Sequence, residues 1–246
     1  MLTDILTIIQ KEMKEMLLQR GSRRAGLLNM LLMVGVFGIF VPLQSASAWF
    51  DSPLFPIMWS WMPVFMTTWM VADAVAGERE RHTLETLLAS RLSDRAIYLG
   101  KLGAAVLYGF SLALTNLLVA AVTVNIIRFS ADGLRFYPLD FFLLLLAFTA
   151  LACGLLAGVG VLISLRAATA RQAYQRLSIV LLALWLPLIL GMQFLPASWK
   201  EALSRLFAGA SVSGILLIVS LVLLAIDAAL VAAGLARFKR TRLVIE

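Results

Sequence analysis

The chain of 246 residues has one cysteine, one histidine and only 14% charged residues, and each shortage excludes something. The lone cysteine, Cys153, cannot close an internal disulfide, and the sequence has no zinc-like cysteine spacing. It is read as a small packing residue. The lone histidine, His82, leaves no His cluster and no H-E-x-x-H helix, and no G-x-S-x-G nucleophile elbow occurs. A phosphate-binding loop would read G-x-x-x-x-G-K-[ST]. The only Gly-Lys pair is Gly100-Lys101, with Arg95 where that motif needs glycine and Leu102 where it needs Ser or Thr. The chain is therefore expected not to be an enzyme and not to bind ATP through that motif. It has no low-complexity segment, no linker and no convincing internal repeat, so residues 1–246 are read as one domain.

Charge is scarce because apolar residues fill the chain: 61% are hydrophobic and the mean hydropathy is +0.93. A soluble domain carries about 25% charged residues. Six apolar segments stand out: Ala25–Leu43, Leu54–Ala76, Leu102–Ile127, Phe141–Leu165, Leu177–Leu195 and Val212–Ala236. Each is close to the ~20 residues that cross a ~30 Å hydrocarbon core as a helix. Helices satisfy their backbone groups within one segment, and the ~10-residue alternation of a membrane β-barrel is missing. The expectation is an all-α membrane protein with six transmembrane helices. Ser22-Arg23-Arg24 and Ala46-Ser47-Ala48 resemble parts of a signal peptide. The run between them is long for one and five more follow, so the first segment is expected to be a retained span.

The net charge of +7 would suggest nucleic acid as the partner of a soluble protein, but its distribution says otherwise. Of 21 lysines and arginines, only Arg128, Arg135, Lys200 and Arg205 fall in the loops on one side. The positive-inside rule then places both termini and the loop between spans two and three in the cytosol. Trp49 and Trp59 fall near the outer boundary, where an aromatic belt is expected.

Between spans two and three, the segment 77–101 is densely charged and carries its own amphipathic helix. Leu84, Leu87, Leu88 and Leu92 share one face and Glu85, Thr86 and Ala89 the other. Such a helix could lie among lipid headgroups. Its acids nearly balance its bases, which favours a protein partner over anionic lipid. Upstream, residues Leu2–Arg20 form a second amphipathic element. Ile5, Ile9, Met13 and Met16 lie along one stripe, and Gln10, Lys11, Lys14 and Glu15 face away. After Pro196, Ser198 and Glu201 have capping-box spacing, which predicts a short external helix over about 197–208.

Three polar residues in or beside the spans are candidates for a translocation path: Asp73, Asn116 and Asp227. Asp227 lies ten residues before Arg237, about 15 Å along a helix and so near mid-membrane. Its alternative role is a packing contact to Asn116 or Thr115. Asp73, one turn before Gly77, is expected to brace the charged loop. Gly154-x-x-x-Gly158, with Gly160, permits close helix approach within the protomer. Pro63 and Pro187 are expected to kink spans two and five.

The short amphipathic N-terminal element, the six spans and the sequence E-R-E-x-x-T-L-E-x-L-L, from Glu78 to Leu88, resemble the membrane-spanning permease subunits of type-2 ABC exporters. The match continues through Ile97-Tyr98-Leu99-Gly100-Lys101, where that family commonly opens its third span with a Gly-Lys pair. It departs at His82, where the family usually has glycine, and at Arg91, where proline is common. The resemblance implies an elbow helix over 2–20 and a cytosolic coupling helix near Thr83–Ala89. It also implies a separate ATP-binding cassette subunit as partner, holding ATP and Mg, a second permease copy, and no cofactor in this chain. The partner interface would use Glu78, Glu80, Thr83, Leu84, Glu85, Leu87 and Leu88. The implied setting is the lipid of a bacterial or archaeal cytoplasmic membrane, with substrate exported along a path at the subunit interface. A stand-alone secondary transporter or channel would need more buried polar groups and paired repeats, and a lipid-modifying enzyme would need a catalytic cluster.

Overall fold

The computed structural model describes residues 1–18, 28, 30–46, 48–201 and 211–238. The end of the expected elbow helix, part of the first span and most of the expected external helix lie outside the described residues. Within them, every regular element is helical. Helix α1 is Leu2–Leu18, and a π-helical run, Val34–Phe40, leads into α2, Val41–Gln44. Then come α3 (Leu54–Glu80), α4 (Leu84–Ala89), α5 (Asp94–Asp132), α6 (Leu139–Ser164), α7 (Ala170–Phe194) and α8 (Val212–Arg237). Among the described residues, three helices are long and apolar enough to cross a membrane: Asp94–Phe129 within α5, then α6 and α8.

Side-chain caps set where several helices begin. The hydroxyls of Ser93, Thr169 and Ser211 each accept a hydrogen bond from the amide three residues on, which starts α5, α7 and α8. The Ser93 cap moves the start of the third long helix to Asp94, eight residues before the expected Leu102. Gly133, at φ 70°, closes the other end of α5 with its amide on the Phe129 carbonyl. The short helix after Pro196 covers 197–201 of the described residues. The Pro196 carbonyl accepts from the amides of Trp199 and Lys200, so Ser198 lies inside the helix and is not its cap. Pro187 lies inside α7, which continues through it.

Several close helix contacts form where one partner has no side chain. A Cβ at Gly158 would stand 3.1 Å from Leu230, and one at Gly154 would stand 2.5 Å from Asp227 Oδ2. The Gly154/Gly158 ridge of α6 thus seats α8 within the same chain. Gly160 lies against Val71 of α3, and Gly109 of α5 lies against Thr67 of α3. Helix α1 rests on α5 through Gly100, against Ile8, and Gly103, against Ile9.

Two apolar clusters lie at opposite ends of this bundle. One gathers Ile8, Val75, Leu84, Ile97, Tyr98 and Phe238, with Leu87 and Leu92 packed against it. It joins the N-terminal helix, the α3–α4 turn and the end of α8. The other gathers Trp49, Leu117, Tyr137, Phe141, Leu145 and Leu216. These are the charged end and the aromatic end of the molecule.

Candidate functional site

At the charged end, α3 terminates in a turn made by residues 78–83. The Thr83 amide reaches the Glu78 carbonyl at 2.9 Å and the His82 amide reaches the Arg79 carbonyl at 3.1 Å. This pair of bonds ends a helix through one left-handed residue, a place that favours glycine. His82 occupies it, with φ 56°. His82 therefore stands where the backbone conformation suits glycine best.

Helix α4 follows at once. Leu84 is only 4% exposed, and Leu87 and Leu92 pack on the same core. This corrects the expectation that Leu84 and Leu87 face a partner: Leu84 is interior, and Leu87 is half-buried against its own bundle. The side chain of Leu88 is outside what the structure describes. The exposed face of the hairpin carries His82, Thr83, Glu85, Thr86, Ala89 and Arg91.

Behind the hairpin lies a buried ion cluster. Lys101 is 2% exposed and Glu78 3%. Lys101 Nζ stands 2.7 Å from Glu12 Oε1 and 3.0 Å from Glu78 Oε2, and Lys11 Nζ stands 2.7 Å from Glu78 Oε1. Lys11 also reaches Glu15 at 3.3 Å. Burial works against the Glu78 carboxylate, but the ammonium groups of Lys101 and Lys11 outweigh it and hold its pKa below the ordinary value. Burial likewise opposes the charge on Lys11, and Glu78, Glu12 and Glu15 outweigh it, raising that pKa. The carboxylates of Glu12, Glu15 and Glu78 come close enough together to suggest a cation site. The two lysine ammonium groups already stand among them.

These contacts revise two expectations. Glu78 faces inward, paired to its own chain, and so is not free to meet a partner's basic groups. Lys11 and Glu15, placed on the solvent side of the N-terminal helix, instead join the cluster. The inward stripe of α1 is Ile5, Ile8, Ile9 and Glu12. Gly100-Lys101 acquires a physical role as well: glycine admits α1 and lysine holds its Glu12.

The same hairpin grips the next loop at this end. Arg79 donates to the Ala167 and Leu165 carbonyls at 2.6 and 3.2 Å, and Glu80 accepts from the Ala170 amide at 3.0 Å. The buried Ser164 hydroxyl donates to the Ala72 carbonyl and accepts from the Val75 and Ala76 amides. Asp73 braces the loop as expected, through two bonds of 3.0 and 3.1 Å from Arg81. That carboxylate holds the Arg81 guanidinium above its ordinary pKa. Residues 73–101, α1 and residues 164–170 thus form one connected block.

The path candidates do not come together. Asp73 is tied to Arg81. Asn116 donates to Leu112 and lies near Gly38 of the π-helical run. Asp227 lies against Gly154, and its Oδ1 has no hydrogen-bond partner among the described residues. The suggested contacts from Asp227 to Asn116 or Thr115 are not formed, because Thr115 turns back onto Ser111 and Asn116 faces Gly38.

At the aromatic end, Trp49 is 1% exposed and donates to the Tyr137 hydroxyl at 2.7 Å. Burial pushes the Tyr137 hydroxyl up to about 12, against the lowering effect of the Trp49 bond. Trp49 is therefore a core residue, not part of a lipid-facing belt, and the Trp59 side chain lies outside the description. No protein-family model matches the chain, and no curated protein matches it.

Proposed function

We propose that this chain is the membrane-spanning subunit of an ABC exporter, crossing the membrane six times and driven by a separate ATP-binding subunit. The observation that carries the reading is the α3–α4 hairpin. The segment that resembles the exporter permeases forms a helix end, a left-handed turn and a separate short helix. This hairpin is fixed by buried ions to α1 and α5 and by Arg79 and Glu80 to the loop before α7. A push on it would reach α1, α3, α5, α6 and α7 together.

The placement of Ile8 and Phe238 supports the even number of spans. Ile8 and Phe238 share one cluster with Leu84, while Trp49, Tyr137 and Leu216 share the cluster at the far end. The lysine and arginine bias assigns the charged end to the cytosol. The ATPase would then meet the exposed side of the hairpin, Glu80, Thr83, Glu85 and Thr86, with Leu84 and Glu78 supporting it from within. A second permease copy would complete the path, ATP and Mg would reside on the ATPase, and Asp227 remains the candidate polar contact in the path.

The test is to affinity-purify the full chain from its native membrane and assay co-purifying ATPase. Wild type should bring down an ATP-binding subunit, whereas Glu85→Lys with Thr86→Arg should lose it and still fold. Hydrolysis by the rigorously isolated chain, or an ATPase retained unchanged by the double variant, would overturn the reading.

A further inference from the structure

On the opposite half of α5, an open groove of about 530 Å³ runs along the helix. Its walls are Leu118, Val122, Ile126 and Phe129, overhung by Leu134 and Phe136 from the following loop. All six are exposed large apolar residues. The one polar lining side chain among the described residues, Asn125, is already committed. Its amide donates to the Arg135 carbonyl at 2.7 Å and accepts from the Arg135 amide at 2.8 Å. The groove therefore offers apolar contact without a polar demand.

Its rim is different. A smaller recess shares Asn125 with the groove and is lined by Ala46, Phe50, Arg128, Gly133 and Arg135. Arg128 donates to the Ala46 carbonyl, and Arg135 pairs with Asp51 at 2.7 Å and lies over the Phe50 ring. Two of the four cations in the loops of this side thus stand at one end of one apolar groove.

Depth along α5 identifies what fits. From Lys101, at the charged end, to Arg128 is 27 residues, about 40 Å of helix. A bilayer with its headgroup regions is ~40–45 Å thick. With Lys101 at one headgroup layer, Arg128 lies in the other. From Arg128 back to Leu118 is about 15 Å, half of the ~30 Å hydrocarbon core, so the groove is one leaflet deep. We propose that this groove binds a phospholipid of the leaflet at the aromatic end, one acyl chain along Leu118–Phe129 and its phosphodiester at Arg128 and Arg135. The proposal needs α5 to cross the bilayer and is independent of any ATPase partner.

The test is native mass spectrometry of the full chain in detergent, titrated with dioleoylphosphatidylglycerol or with dioleoylglycerol, which has the same chains and no phosphate. A charge-assisted bond of about 1.5–3 kcal/mol predicts at least roughly tenfold preference for the phospholipid. Arg128→Gln should erase most of that preference while leaving dioleoylglycerol binding intact. Val122→Trp should fill the groove and lower binding of both lipids, and Ile126→Trp should do the same if Val122→Trp fails to fold. Equal binding of the two lipids by wild type would overturn the proposal, as would unchanged lipid binding in a folded groove-filling variant. If the groove-filling variants instead abolish a dimer and leave lipid binding alone, a second copy covers the groove and the proposal is wrong.

Discussion

At the charged end of the bundle, Lys101 and Glu78 are buried as ions, and their neutrality depends on partners in α1, α3 and α5. At the aromatic end, the corresponding interior is closed by Trp49, Tyr137, Phe50 and Phe142. Tyr137 stacks on Phe142 at 5.8 Å and meets Phe50 edge-on at 5.2 Å, and a single Trp–Tyr hydrogen bond satisfies the polar tips. Both ends join distant segments, but they tolerate error differently. Ring contacts are many and individually small, so losing one leaves the rest. A buried ion that loses its partner is left uncompensated in a low-dielectric site. The charged end should therefore have one well-defined geometry that fails abruptly, and the aromatic end should weaken by degrees.

The largest break should come from Lys101→Met. Removing the ammonium leaves Glu12 and Glu78 with only the part-exposed Lys11 to compensate them and should cost about 3–5 kcal/mol, read as a fall in thermal or denaturant stability in detergent. A double variant that also carries Glu78→Leu should recover most of the loss. If Lys101→Met alone changes stability negligibly, the ions do not hold this end together.

Titration makes the same break without a substitution. Glu78 has its pKa lowered below 4.5 on folding, so its contribution is complete above about pH 4.5 and is lost as pH falls through the lower folded value. Lys11 has its pKa raised above 10.5, so its contribution is complete below 10.5 and is lost as pH rises through the higher folded value. Hydrogen exchange should show α1 losing protection in acid before α6 does. Equal protection of the two at every pH would contradict the difference between the ends.

The comparable change at the aromatic end, Trp49→Phe, should cost less, about 1–3 kcal/mol, because it removes one buried hydrogen bond and leaves the Tyr137 hydroxyl without its donor. A cost as large as that of Lys101→Met would erase the contrast. His82→Gly should act with the opposite sign. Relief of left-handed strain should stabilise the hairpin by about 1 kcal/mol, measured as a rise in Tm, and a destabilised variant would refute the strain. The smallest effect should be Arg135→Ala. Arg135 and Asp51 are an exposed pair, with side chains 39% and 55% accessible, and such pairs contribute about 0–1 kcal/mol. Its stability should be nearly unchanged.

The apolar runs made much of the helix plan legible. Phe141–Leu165 was read against an observed Leu139–Ser164, and Val212–Ala236 against Val212–Arg237. The glycine spacing in α6 was also informative, since Gly154 and Gly158 pack α8 within the chain. What stayed hidden was where charge is buried. Asp94, Arg95 and Lys101 look like loop residues to any window of hydropathy, yet they lie within α5, and Ser93 was the only local sign of its start. Glu12 interrupts the apolar stripe of α1 because its partner Lys101 is 89 residues away, a pairing that no local pattern contains. For the same reason the inward packing of Leu84 was hidden: Ile8 and Phe238, with which it clusters, come from opposite ends of the described sequence. Trp49 was misread as an interface residue because its partner Tyr137 is equally remote.

The distance in sequence between Glu12 and Lys101 also sets a timetable. Helix α1 is made before α5, and the lysine that anchors it emerges 89 residues after Glu12. At about 5–20 residues per second of synthesis, α1 spends roughly 4–18 seconds without that anchor. During this interval its isoleucines have no Gly100 or Gly103 to rest on, and its acids have no Lys101. Whatever the nascent helix lies on meanwhile must release it when α5 arrives, so the charged end is begun with α1 and can close only after the start of α5 has been made.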